Sequence, residues 1–112
     1  MVMTSDDSDA VCDDSACPVA RAVRSLDGKW TLLIVRDLLA GTRRFGELRE
    51  SLVGISPKTL TDRLRDLARS GLVHRVMYAE IPPRVEYSLT EAGRNVAPVV
   101  AALAAFGATL PA

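Results

Sequence analysis

At 112 residues the chain is the size of one domain, able to bury roughly two thirds of the surface its unfolded form exposes, so a second independently folding unit is not expected. Hydrophobic residues at 48% and charged residues at 25% exclude a mainly disordered chain, and aromatics at only 4% leave a core of Leu, Val, Ala and Ile. The net charge of zero conceals an asymmetry: residues 1–17 carry five acids and no base, so residues 18–112 hold 14 bases, 12 of them Arg, against nine acids.

Residues 1–16 read as an acidic flexible tail, poor in large apolar side chains and unlike a basic-then-apolar secretory signal. A single domain follows over residues 17–112. Pro18 suits the first position of a helix, and Val19, Val23 and Leu26 at i, i+4, i+7 carry it to Asp27, where Gly28 interrupts. From Trp30 to Ala40 nearly every position is apolar, the pattern of a helix enclosed by its domain, and Gly41 stops it. Arg36 and Asp37 break this run well short of the ~18 apolar residues of a membrane span, so no membrane partner is expected. Phe45, Leu48 and Leu52 mark a helix of about two turns ending at Gly54.

Ser56-Pro57 is the clearest boundary in the chain, a hydroxyl N-cap followed by a proline whose missing N–H is harmless at the first helical position. Leu60, Leu64 and Leu67 then form one stripe, closed by Gly71. Leu72–Tyr78 and Arg84–Leu89 are β-prone segments joined by residues 79–83. In the second, Val85, Tyr87 and Leu89 alternate with Arg84, Glu86 and Ser88, whereas the register of the first stays open. Thr90-Glu91 opens a last helix, with Val96, Val99, Val100, Leu103, Phe106 and Leu110 as its apolar stripe, and Pro98 should kink or split it.

Two short helices joined by a Gly-containing turn, Phe45–Leu52 and Pro57–Ser70, meet the description of a helix-turn-helix. At about 100° per residue, Lys58, Asp62, Arg65 and Arg69 fall opposite the leucine stripe, flanked by Thr61 and Asp66. Such a face suits a major groove, where Arg or Lys pairs with guanine or phosphate and Asp accepts from cytosine. As single residues these read equally as a solvated face with ordinary intrahelical pairs. The hairpin that follows shifts the balance, because Arg75 and Arg84 near its ends make it a second basic arm, a wing stiffened by Pro82 and Pro83.

These residues resemble the HxlR-type winged helix-turn-helix transcriptional regulators, relatives of the MarR-like group. The similarity runs through Cys17-Pro18, Gly28-Lys29-Trp30-Thr31-Leu32-Leu33-Ile34, Arg44-Phe45-Gly46-Glu47-Leu48 and Gly54-Ile55-Ser56-Pro57-Lys58-Thr59-Leu60-Thr61. It continues through Arg63-Leu64-Arg65-Asp66-Leu67, Gly71-Leu72-Val73 and Arg75 to Pro82-Pro83-Arg84-Val85-Glu86-Tyr87-Ser88-Leu89-Thr90 and Gly93. The resemblance implies an α+β, mainly α, winged helix-turn-helix with a two-stranded hairpin wing and terminal dimerisation helices. It implies a cytoplasmic homodimer that binds palindromic double-stranded DNA and regulates a neighbouring gene. Ser56, Lys58, Thr59, Thr61, Asp62 and Arg65 would be recognition-helix contacts, Arg44 a phosphate contact and Arg84 a wing contact. The dimer would form through the Val19/Val23/Leu26 helix and the Val99/Val100/Leu103/Phe106 helix, with Leu110 also in need of a partner surface. Two recognition helices about 34 Å apart would then enter successive major grooves.

Some relatives use a cysteine before the first helix's proline as a thiol sensor, and Cys17 holds that place. A helix N-terminus and Arg21 favour its thiolate while Asp13 and Asp14 disfavour it, so a redox or electrophile sensor and an inert thiol both stand. Cys12 reads as incidental, the alternative being a resolving thiol. His74, the only histidine, reads as a surface or wing residue, Trp30 as core, and the sparse Cys and His predict neither disulfide framework nor metal site. No phosphate loop, nucleophilic triad or carboxylate pair is visible, so neither an enzyme nor a cofactor is expected. A small-molecule or oxidant effector stays open, and the alternative function is a winged helix serving only as a protein-docking module.

Overall fold

The leucine stripe and the Ser-Pro boundary organise the structure, a computed structural model that describes residues 17–112. The acidic tail and Cys12 lie outside the described residues. Helix α1 spans Pro18–Ser25, with Cys17 as its extended N-cap and Pro18 in its first turn. It stops two residues before the expected end at Asp27. The Asp27 carboxylate accepts from the Gly28 N–H at 2.9 Å and its carbonyl accepts from Thr31 Oγ1 at 2.8 Å, so the chain turns there. Gly28 at φ +102° and Trp30 at φ 82° are both left-handed, which excludes Trp30 from the helix it was expected to begin. Helix α2 spans Thr31–Leu39 and buries Thr31, Ile34, Val35 and Leu38.

A short strand, β1 (Arg43–Arg44), leads into α3 (Phe45–Ser51), and α4 (Pro57–Arg69) follows a turn through Gly54. Ser56 caps α4, its Oγ accepting the Thr59 N–H at 3.1 Å. Gly71, at φ +78°, ends it: the Gly71 N–H reaches Ala68 O at 3.0 Å and the Leu72 N–H reaches Leu67 O at 2.9 Å. Those two bonds satisfy carbonyls the helix end would otherwise strand, in a geometry that a Cβ disfavours.

Strands β2 (Val73–Tyr78) and β3 (Arg84–Leu89) pair antiparallel, Val73 with Leu89 through Tyr78 with Arg84, which settles the open register. The sheet has three strands, β1-β3-β2, where the sequence suggested two. Arg43 and Arg44 pair with Tyr87 and Glu86 along the other edge of β3, and a two-residue strand has no periodicity to read. Central β3 is therefore flanked on both sides. Residues 84–88 are all half-buried and only Leu89 is buried, so the expected clean alternation of faces is blurred. Beyond Val73, β2 is exposed because the hairpin projects from the body.

The expected last helix is split into α5 (Glu91–Arg94) and α6 (Ala97–Gly107), with Pro98 in the first turn of α6 where its missing N–H does no harm. Leu110 lies beyond α6, not on it. Ile34, Val35, Leu38, Leu48, Leu52, Ile55, Leu60, Leu64, Leu67, Val73, Leu89 and Val96 form one core. All three leucines of the α4 stripe belong to it, so α4 is held from beneath and its opposite side faces outward.

Candidate nucleic-acid interface

With Leu60, Leu64 and Leu67 buried, helical geometry turns Lys58, Thr61, Arg65 and Arg69 outward, and all four are exposed. A long-range tether fixes the rotation of α4. Arg63 Nε donates to Lys29 O at 3.0 Å, and a Cβ on Gly28 would stand 2.6 Å from that nitrogen. Gly28 thus serves both its turn and the passage of Arg63, a role that sequence reading did not assign to either residue.

The outward face is laced by ion pairs. Lys58 Nζ donates to Asp62 Oδ2 at 2.9 Å, and Arg65 Nη1 lies 3.7 Å from Asp62 Oδ1. Arg69 and Arg63 lie 3.5 Å and 3.9 Å from the carboxylate of Asp66. The Lys58 hydrogen bond is the main cause that holds the Asp62 carboxyl below the usual carboxylate range; desolvation opposes it, and the positive charges of Lys58, Arg65 and Arg63 add to it. Ser56 and Thr59 are joined at 2.9 Å through their hydroxyls, so both are engaged in the cap at the start of the face.

The base of the wing completes this surface. Thr61, Leu64, Arg65, Ala68, Arg75 and Tyr87 line an open hollow of about 380 Å³ between α4 and the hairpin. Arg65 and Arg75 are brought together there. Arg84 stands apart toward the tip: its guanidinium stacks on Tyr78 at 4.2 Å, with Glu80 at 3.1 Å and Glu86 at 3.7 Å. Arg44 is exposed at the start of α3, where its backbone N–H donates to Glu47 Oε1 at 2.8 Å. Among the described residues neither Arg44 nor Arg75 makes an ion pair.

The other end of the molecule is apolar. Helix α6 buries none of its residues and α1 none of its own. Val19 is 70% exposed, Val23 and Phe106 61%, and Val99, Leu103 and Leu110 are also exposed, while Leu26 and Val100 are half-buried against the core. Val19, Val23, Leu26, Leu32, Val99 and Leu103 line a groove of about 530 Å³. Leu33 of α2 is exposed as well, which corrects the expectation that this helix is enclosed; its apolarity all round was the available signal. Cys17 is half-buried at the start of α1. His74 is exposed on β2 opposite Ser88, and Trp30 is half-buried against the core beneath Lys29 Nζ at 5.7 Å. Among the described residues no helix is long and apolar enough to cross a membrane, and no His, Cys, Asp and Glu cluster could hold a metal.

The HxlR-like helix-turn-helix family model matches residues 25–111. An HTH-type transcriptional regulator of Synechocystis is 50% identical over 91 residues, 81% of this chain and 67% of that protein. One from Methanothermobacter thermautotrophicus is 43% identical over 95 residues, 85% of this chain and 72% of its own. Among solved structures, the redox regulator HypR in its oxidised form superimposes with a TM-score of 0.80 at 38% identity, covering 86% of this chain and 99% of that one. The reduced form of the transcriptional regulator YodB from B. subtilis gives 0.71 at 35% identity, covering 80% and 89%.

Proposed function

The chain belongs to the HxlR-like helix-turn-helix family, and on that premise we propose that it is a homodimeric, sequence-specific DNA-binding transcriptional regulator acting in the cytoplasm. The observation that carries this reading is the juxtaposition of the outward face of α4 with Arg75 at the wing base. Lys58, Thr61 and Arg65 enter the major groove, with Asp62 between them, and Arg75 meets the flanking backbone. Arg44 contacts phosphate at the start of α3. Arg84 first has to leave Glu80 and Glu86, so its contribution is smaller than its position in the sequence suggests.

Dimerisation through α1 and α6 supplies the cover that Val19, Val23, Val99, Leu103 and Phe106 lack in one chain. A twofold pair of recognition helices matches a palindromic site. The deciding measurement is binding to the DNA upstream of the protein's own gene at several salt concentrations. A specific complex weakens steeply as salt rises, whereas a flat response with no preferred site overturns the reading.

Responsiveness to oxidants through Cys17 is the finer part of the proposal, supported by the likeness to HypR and by the thiol's place at a helix N-terminus. After mild oxidant, non-reducing electrophoresis should show a disulfide-linked species that Cys17→Ser abolishes. Unchanged DNA affinity after oxidation would dismiss it.

A further inference from the structure

The carboxylate of Asp62 occupies the middle of the face that α4 presents. One turn before it stands Lys58 and three residues after it Arg65, so its two oxygens divide between them: Oδ2 at 2.9 Å from Nζ, Oδ1 at 3.7 Å from Nη1. The side chain of Asp62 is 35% exposed against 86% for Lys58 and 59% for Arg65, so the acid is the least exposed of the three. Both separations lie well inside a Debye length of about 8 Å, so moderate salt weakens these pairs without abolishing them. The same pairing recurs at Asp66 with Arg69 and at Glu80 with Arg84, leaving Arg75 as the one base of the hollow without an acid.

A phosphate approaching this face therefore meets a carboxylate as well as two cations. A surface built for maximal DNA affinity would omit it. Resting on the DNA-binding reading, we infer that Asp62 is a specificity-determining residue that works by exclusion, cancelling Lys58 and Arg65 on non-operator DNA and yielding them only at a matching site. At a matching site a base-edge amino group, cytosine N4 or adenine N6, takes over the carboxylate. Lys58 and Arg65 are then free for guanine or phosphate. Where no amino donor is offered, Asp62 keeps Lys58 and Arg65, the phosphates meet cancelled charges, and the complex is weakened. Discrimination comes from weakening the wrong complexes more than from strengthening the right one.

The test uses the full chain, Asp62→Asn, a random-sequence duplex and the tightest duplex that the wild type selects from a randomised pool, read by fluorescence anisotropy across a salt series. Asparagine keeps the shape and removes the charge. On random duplex the variant should bind about eightfold more tightly at 0.1 M salt for each base set free, with a slope steeper by about 0.9 per base. The selected duplex should gain less, so the ratio of selected to random affinity falls. In a Lys58→Ala background the gain should shrink to what Arg65 alone supplies. Unchanged random-duplex affinity and slope would overturn the inference, as would a loss confined to the selected duplex, which marks Asp62 as an ordinary base contact. Far-UV circular dichroism of each variant confirms that α4 persists. Failure of the wild type to bind either duplex at any salt defeats the DNA-binding reading itself and is seen before any variant is made.

Discussion

The two ends of this molecule solve opposite problems. Around α4 every feature is matched within the chain: leucines below, a serine cap and a glycine stop at the ends, acids set against the bases on the outer face. Around α1 and α6, among the described residues, Val19, Val23, Val99, Leu103 and Phe106 are apolar side chains left open to water. Helix α6 has no side-chain cap, no charged residue in its first or last turn and no buried position, yet it is almost wholly apolar. A polar face can stand in water indefinitely, but an apolar one of this extent calls for another surface. The contrast separates a half whose structure is complete in one chain from a half that leaves apolar side chains exposed, which is where the proposed second copy would dock.

The sharpest way to break that contrast is to damage the complete half. Leu64 is 2% exposed beneath α4, and Leu64→Ala should cost about 2–5 kcal/mol of folding stability, read by urea denaturation. The loss should be the same at low and high protein concentration only if it is confined to the monomer core. The complementary experiment attacks the other half. Leu103→Glu with Phe106→Glu should leave the monomer's helical content intact and weaken self-association at least about a hundredfold, roughly 3 kcal/mol, measured by analytical ultracentrifugation. A dimer that survives both charges places the interface elsewhere.

How much of this was readable in the sequence follows the same division. Helix α4 was legible from Ser56-Pro57 and the leucine spacing because capping and periodicity are local. The apolar ends were legible as stripes, although Leu110 fell outside α6 and Leu33 turned out exposed, since periodicity says which face is apolar and not what covers it. Strand β1 was not legible, because two arginines acquire their conformation only from the edge of β3. The Arg63 tether joins residues 34 positions apart, and no local signal marks it. The charge of Arg84 was visible in the sequence, but its capture by Tyr78, Glu80 and Glu86 depends on how the hairpin folds over.

Within the complete half, the bases should differ in what their loss does to DNA. Arg65→Ala, in the hollow beside Arg75, should cost about 1–3 kcal/mol at the preferred site and relax discrimination there if it reads a base. Arg84→Ala should cost less, because its guanidinium already has two carboxylates to leave. Affinities of the two variants on one duplex, at one salt concentration, rank them directly. An equal or larger loss for Arg84 would show that the wing tip opens on binding.

The smallest effect is also the most local. Hydrogen bonding from Lys58 is the leading cause of the lowered Asp62 pKa, ahead of the charge of Arg65. A carboxyl whose folded pKa is depressed stabilises the folded state fully above its unfolded pKa. That contribution fades as pH falls through the folded value. The carboxyl is partly exposed and its two basic partners are solvated, so the change in stability should be slight even though the titration itself is readily followed by NMR. Lys58→Ala should move the Asp62 titration back up toward the ordinary carboxylate range, and Arg65→Ala should move it less. If Arg65→Ala gives the larger movement, the acid is held chiefly by the arginine.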